Sequence, residues 1–350
     1  MKKALPGRVR RPARWIALVG GALLLQACGR EPVSTQAPAI AAEAAPAAAG
    51  PAPVRTSSAP APGTTTAVQD EAMYARYQAA LGKLLPMMAV GSLRERYAAL
   101  LLQPGGAGVW NHHAILQLAM ADGGRDPELA SAGLQACLAL EDDCPKEQVL
   151  RMTTALADED AAMQLLRLGL VPEAGREPLW QAASTASRFD DPMQSRLARL
   201  LQATDALPRD AGMDSARTVH AFAIAAATAA PSAQLLNKHC PAADQASSQV
   251  LQCRQLATLM ADSPTLITAL IGIAIMRRQA LDPEQVAEWN ARYRQLQWVA
   301  QATAPWVDVT TGHAQQVARY GEVPTLLRLL RAHGLPIHPP PHWQPGMPTT

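Results

Sequence analysis

The chain has 350 residues, with 31 Lys and Arg against 29 Asp and Glu. Residues 1–27 hold six of the basic residues and no acid, so the remainder carries 25 basic and 29 acidic side chains. A mildly acidic chain does not have the basic surface that nucleic-acid binding requires, so we expect no nucleic-acid partner.

The first 28 residues have the pattern of an export signal. Basic residues as far as Arg14 precede an apolar run at residues 15–25, which is typical of a signal peptide spanning 1–27. The run is well short of the ~20 residues that a permanent membrane span needs. The tetrapeptide Leu25-Gln26-Ala27-Cys28 resembles the lipobox of bacterial lipoproteins. The resemblance implies a lipid on Cys28, which would be the mature N-terminus.

The same resemblance implies an address in the cell. Gly29 and Arg30 follow the cysteine, and the aspartate that resembles an inner-membrane retention signal is absent. We therefore expect a protein that is anchored to the outer membrane through its lipid and faces the periplasm. Besides the membrane that its lipid enters, the expected partner is an unknown protein of the cell envelope.

Residues 28–70 are predicted to be a disordered tether. Residues 29–70 contain 13 Ala and 7 Pro, and prolines at this density interrupt any helix that the alanines start.

Residues 71–333 carry the signals of a helical domain. Ala, Leu, Gln, Arg and Glu dominate, and capping patterns recur at Ser92 with Glu95, at Asp126-Pro127 and at Asp282-Pro283. They predict an all-α fold, an antiparallel array or bundle of helical hairpins, with a possible sub-boundary near 205–213.

A spacing of 32 residues separates Asp126, Asp158 and Asp190. The segment 155–162 resembles the junction between tetratricopeptide repeats, which implies a superhelix of paired helices. The alternative is that any antiparallel helix pair has a similar period.

Four cysteines follow the lipobox: Cys137, Cys144, Cys240 and Cys253. Four cysteines allow three connectivities. The oxidising exported compartment and the ease of closing short loops favour Cys137–Cys144 and Cys240–Cys253. The alternative is a metal site that includes His239, but the spacing matches no standard zinc pattern.

Two C-terminal segments have distinct compositions. Residues 266–276 are apolar except for Thr268 and predict a buried helix, because the run is too short to cross a membrane. Residues 334–350 contain six prolines and cannot continue a helix. This tail is either free or packed along the domain, with Trp343 as its anchor.

Catalytic motifs are missing from the sequence. It has no nucleophile elbow, no helical zinc-protease motif and no phosphate-binding loop. His112 and His113 are poorly placed to share a metal on one helix, and His220 is expected to be a hydrogen-bonded core residue. We expect no catalytic residue, no metal and no cofactor.

The leading hypothesis is therefore a non-enzymatic interaction or scaffold protein, because stacked helix pairs form extended binding surfaces. Two alternatives remain open. One is an envelope enzyme that acts on peptidoglycan through carboxylates that the sequence does not identify, and the other is a periplasmic inhibitor or immunity protein.

Overall fold

The computed structural model describes residues 64–103, 111–227, 231–240, 248–280, 282–307 and 311–345. Regular structure in these residues is helical, apart from one isolated bridge between Asp160 and Arg188. The predicted all-α fold is confirmed. The predicted signal peptide, Cys28 and most of the predicted tether lie outside the described residues.

The α-helices, numbered in chain order, are α1 (Thr64–Ala89), α2 (Leu93–Leu102), α3 (His112–Asp122), α4 (Pro127–Leu140), α5 (Lys146–Ala157), α6 (Ala161–Leu168), α7 (Arg176–Thr185), α8 (Met193–Ala203), α9 (Ala211–Ala227), α10 (Pro231–His239), α11 (Ser248–Ala261), α12 (Leu266–Gln279), α13 (Pro283–Thr303), α14 (Thr311–Tyr320) and α15 (Glu322–Ala332). Short 3₁₀ turns follow α3 and α4 and precede α7.

The predicted end of the tether at residue 70 coincides with the boundary between the two compact units of the chain, and two details differ from the prediction. Helix α1 begins at Thr64, inside the predicted tether, because the segment after Gly63 has no proline to interrupt a helix before Pro86. The possible sub-boundary at 205–213 is not a domain boundary, since residues 71–350 form one compact unit and residues 1–70 another. Arg217 joins α9 to the end of α8 by donating to the carbonyl oxygen of Thr204 at 3.2 Å.

The predicted helix starts agree with the structure. Ser92 and Glu95 form a complete capping box at the start of α2. Asp126 caps α4 by accepting from the backbone N–H groups of Glu128 and Leu129, and Asp282 caps α13. Each cap satisfies N–H groups that a helix end would otherwise leave without a partner.

The three aspartates at 32-residue intervals occupy different structural positions. Asp126 is the N-cap of α4, Asp158 is the C-cap of α5, and Asp190 lies in the loop before α8. The spacing therefore does not mark equivalent positions in successive helix pairs.

Helix packing is repeat-like along the chain and then closes on itself. Consecutive helices pack as pairs, most closely α3 with α4, α6 with α7 and α11 with α12. However, α14 packs against α8 and α9, and α2 also contacts α8. In an open solenoid each repeat contacts only its neighbours, so these long-range contacts turn the array into a closed bundle.

Helix α12 is buried as its apolar sequence predicts. Ile273 and Ile275 are fully buried in two separate core clusters. Gly272 faces α11, where a Cβ atom on it would lie 2.7 Å from the carbonyl oxygen of Ala257. The close approach of these two helices therefore depends on the missing side chain.

Helix α13 carries large apolar side chains at steps of three and four residues, and only part of this stripe is buried in the core. Trp289, Tyr293 and Leu296 pack in one cluster with α12, and Val299 is fully buried in another. Val286, at the start of the helix, is exposed.

Residues 212–237 are the one stretch among the described residues that is long and apolar enough to cross a membrane on length and composition. Ala221 and Ala225 in this stretch are buried in the main core, and Arg217 makes the hydrogen bond described above. Core helices of other proteins pass the same test, so length and composition alone do not identify a membrane span here.

Candidate functional site

A shallow groove of about 300 Å³ lies between α1, α2 and α3. We call it the amino-terminal groove. Its lining residues are Ala89, Arg96, Ala99, Leu100, Gln103, Ala114, Gln117, Leu118 and Ala121. Alanines and leucines give it an apolar surface, and one arginine and two glutamines supply polar groups.

Two large apolar side chains are exposed at the end of α1. Met87 is 69% exposed and Val90 is 86% exposed. Val90 directly follows Ala89, which lines the groove, whereas Met87 lies about 200° around the helix from Ala89. Single exposed apolar residues are common on protein surfaces. Val90 is the exposed apolar residue next to the groove, and contiguous apolar surface is typical of an interaction site.

Arg96 gives the amino-terminal groove its positive charge. Its Nε atom is buried and has no hydrogen-bond acceptor among the residues that the structure describes. The Arg96 side chain as a whole is half-buried and lines the groove, so its guanidinium can donate to a carbonyl or carboxylate oxygen of a bound segment.

A second groove, of about 350 Å³, lies between α8, α9 and α14. It has more charged side chains, because Asp205, Arg217 and Arg319 lie among its lining residues. Asp205 accepts from Arg217 at 3.3 Å and pairs with Arg209 at 2.9 Å. These ion pairs already occupy the charged groups of Asp205 and Arg217.

The charged groups of the core form a central ionic cluster of Tyr97, Asp126, Glu128, Arg196 and Arg199. Arg196 is fully buried, and its Nε lies 3.6 Å from the Glu128 carboxylate. Arg199 donates to Glu128 at 2.8 Å and to Asp126 at 3.1 Å. Burial raises the pKa of Glu128, and the two guanidinium groups oppose that rise.

Tyr97 forms the aromatic side of the central ionic cluster. The guanidinium of Arg199 lies 5.4 Å from its ring centroid, a cation–π distance. Burial raises the pKa of Tyr97 to about 12. The phenol therefore stays neutral at any physiological pH, which suits a packing role.

Three other acids also accept hydrogen bonds that stabilise the fold. Asp160 accepts from the backbone N–H groups of Ala162 and Asp190 at 3.0 and 3.1 Å, and burial raises its pKa to about 6. Asp191 accepts from the hydroxyl of Thr268. Burial raises the pKa of this carboxyl as well.

Glu322 is the third of these acids. Its carboxylate accepts from the backbone N–H of Leu266 at 2.9 Å and so ties the start of α15 to the start of α12. Burial raises its pKa, and the nearby Asp191 adds to the rise. None of these carboxylates lines either groove.

Both predicted cysteine pairs lie at disulfide distance. The Cα atoms are 5.1 Å apart in Cys137–Cys144 and 5.8 Å apart in Cys240–Cys253, within the range that disulfides need. The first pair joins α4 to the turn after it. The second joins the end of α10 to α11.

The histidines are placed separately. His220 hydrogen-bonds the hydroxyl of Tyr77 at 2.9 Å, as expected of a core histidine, and burial lowers its pKa. His333 stacks on Trp306, and His342 is exposed. Within the described residues, no group of three His, Cys, Asp or Glu side chains is arranged to hold a metal ion.

Sequence reasoning missed the central ionic cluster. Arg196 and Arg199 lie in a segment that reads as an ordinary amphipathic helix, and their acid partners are about 70 residues away. A hint was present in the Asp126-Pro127-Glu128 cap, which places two carboxylates in one helical turn.

No family model, no curated protein and no solved structure matches this chain.

Proposed function

We propose that the protein is a cell-envelope lipoprotein that binds a partner protein through its helical surface and catalyses no reaction. The observation that carries the proposal is the amino-terminal groove. It combines apolar walls, the exposed Val90 beside them and the guanidinium of Arg96.

The groove fits a segment of a partner protein that is largely apolar and carries an oxygen acceptor. Apolar side chains would cover Leu100 and Leu118, and a carboxylate or carbonyl oxygen would accept from Arg96. A few hundred Å³ is enough for the anchoring side chains of such a segment, which are the residues that dominate binding energy.

The lipid anchor is the second part of the proposal, and the lipobox-like sequence ending in Cys28 supports it. The two cysteine pairs at disulfide distance are consistent with an exported protein, because disulfides persist in oxidising compartments. We propose that both pairs are oxidised and that the protein is held at the outer membrane, facing the periplasm.

The buried carboxylates support the non-enzymatic part. A hydrolase that acts on peptidoglycan needs two carboxyl groups facing a substrate cleft. Glu128 is held by two arginines, Asp160 by backbone N–H groups and Asp191 by Thr268. These partners give each acid a structural role.

Photocrosslinking in intact envelopes tests the proposal. A photoreactive amino acid would replace Val90 beside the amino-terminal groove, and the matched control would replace Leu251, which is 61% exposed on α11. Crosslinked products would be identified by mass spectrometry. We expect one dominant protein to be crosslinked from position 90 and not from position 251.

Two outcomes would contradict the proposal. Equal crosslinking from both positions would show that the groove has no selective partner. Recovery of cell-wall fragments without any protein would favour the peptidoglycan enzyme. A Cys28→Ser variant tests the anchor separately, since we expect it to leave the membrane fraction.

A further inference from the structure

The C-terminal tail is bound to the domain by side chains of α13 that donate hydrogen bonds to its main-chain carbonyl oxygens. We call residues 334–345 the strap. The guanidinium of Arg294 on α13 donates to the carbonyl oxygens of Pro340 at 2.7 Å, Pro341 at 2.8 Å and Trp343 at 2.9 Å. Trp298 on the same helix donates from its indole N–H to the carbonyl oxygen of Pro336 at 2.9 Å.

One side chain anchors the strap. Trp343 is only 6% exposed and packs edge-to-face on Trp298, with ring centroids 5.4 Å apart. We define the strap groove as the surface of α13 and α15 that holds it. Its residues are Arg294, Trp298, Val299, Leu326 and Leu330.

The strap groove therefore recognises carbonyl oxygens and one aromatic side chain. Proline suits such a site, because it has no backbone N–H that would need an acceptor. Main-chain carbonyls are common to every sequence, so these contacts do not depend on the identity of most strap residues. Other proteins bind proline-rich segments in the same general way, through aromatic grooves.

The fit of the strap is incomplete. Most of its side chains, including those of Pro340 and His342, remain exposed. The indole N–H of Trp343 is buried without an acceptor among the described residues, which costs binding energy. A segment whose aromatic residue has no N–H, or one that supplies an acceptor for this N–H, would bind the same surface more tightly.

We propose that the strap groove is a binding site for a proline-rich segment of a partner protein, with an aromatic residue in the Trp343 position. The strap occupies this site as an intramolecular ligand. The proposal rests on the proposed interaction function but uses a different surface from the amino-terminal groove.

Competition by the strap is strong, because a tethered ligand acts at an effective concentration on the order of millimolar. A free peptide binds only the fraction of molecules whose groove is open. Removing the Trp343 anchor should raise that fraction and tighten the apparent affinity for a free peptide.

Fluorescence anisotropy tests the proposal. The probe is a labelled synthetic peptide with the sequence of residues 334–350, and the protein is the full chain. We expect Trp343→Ala to bind the peptide at least about tenfold more tightly than the wild type. Adding Arg294→Ala to that variant should abolish binding, and a peptide with alanine in place of its tryptophan should not bind.

The control variant is Trp306→Ala. Trp306 stacks on His333 at 4.2 Å and makes none of the strap's hydrogen bonds, so this variant should bind the peptide as the wild type does. A chain that ends at Gly334 provides a second way to open the groove, with folding of each variant checked by circular dichroism.

A folded Trp343→Ala variant and a folded truncated chain that both fail to bind the peptide would overturn the proposal. Equal affinity in the wild type and Trp343→Ala would also overturn it. Neither result affects the amino-terminal groove, whose test is crosslinking from position 90.

Discussion

The central ionic cluster and the strap groove use arginine in opposite ways. In the cluster, Arg196 is fully buried and faces the charged Glu128. In the strap groove, the half-buried Arg294 donates to neutral carbonyl oxygens of the chain's own tail.

The two contacts differ in the surroundings of their polar groups once the contact is broken. Opening the cluster leaves a charge buried without its partner, which is a large cost. Opening the strap exposes carbonyl oxygens and a guanidinium to water, which solvates both. The first arrangement therefore holds the fold together, and the second can be exchanged for another ligand.

The largest expected effect comes from Arg196→Met. This change leaves Glu128 buried with one of its two arginines, and we expect the free energy of unfolding to fall by about 3–5 kcal/mol. Urea denaturation measures it. The control is Arg151→Ala in an exposed pair with Glu147, which should cost less than about 0.5 kcal/mol. Equal effects would contradict the role of the cluster.

We expect a smaller loss of stability from a substitution at the contact between α11 and α12. Gly272→Ala places a Cβ atom 2.7 Å from the carbonyl oxygen of Ala257 and should cost about 3 kcal/mol, because backbone must move. Gly82→Ala is the matched control in α1, with no heavy atom within 4 Å of the new Cβ. It should stabilise by roughly 0.5–1 kcal/mol. Destabilisation by both would contradict the packing account.

Replacing the Cys137–Cys144 pair tests how much the predicted disulfide stabilises α4, the helix that begins at Asp126 and Glu128. Its two cysteines are 7 residues apart, and replacing both with serine should cost about 2.5 kcal/mol on the chain-entropy model. Thermal denaturation measures the loss, and thiol labelling without reductant checks that the native pair is oxidised. Free thiols at both positions would contradict the predicted bond.

The pH dependence of stability tests Asp160. The pKa of Asp160 in the folded protein is raised to about 6 from 3.8. Its contribution to the free energy of unfolding is therefore fully present below about pH 4 and is lost as the pH rises through 6. We expect a loss on the order of 2 kcal/mol between pH 4 and 7.5. Urea midpoints of the wild type and Asp160→Asn at both pH values measure it.

Asp160→Asn keeps a side-chain acceptor at the helix cap and removes the titration. The variant should therefore lose less stability than the wild type as the pH rises. An identical loss in both proteins would assign the pH dependence to other groups.

Local signals in the sequence predicted much of the fold. The caps at Asp126 and Asp282, the buried helix at 266–276 and the cysteine pairing all depend on residues that are close together in the chain. For the tail, the composition left two possibilities, and the structure shows the packed one, with Trp343 as the anchor.

The candidate sites could not be predicted in the same way. Arg294 bonds residues nearly 50 positions away, and the partners of Arg199 are more distant still. Such contacts depend on how the helices pack. A sequence pattern shows which face of a helix is apolar, but it does not show which arginine on that face will meet a carboxylate or a carbonyl oxygen.

Hydrogen–deuterium exchange of the native full chain tests the contrast between the two regions most directly. We predict that the backbone N–H groups of the strap, including that of Trp343, exchange through local opening long before those of α8, and that low urea leaves the difference unchanged. Exchange of the strap and α8 with the same free energy of opening would show one cooperative unit. That result would contradict an exchangeable strap on a fixed core.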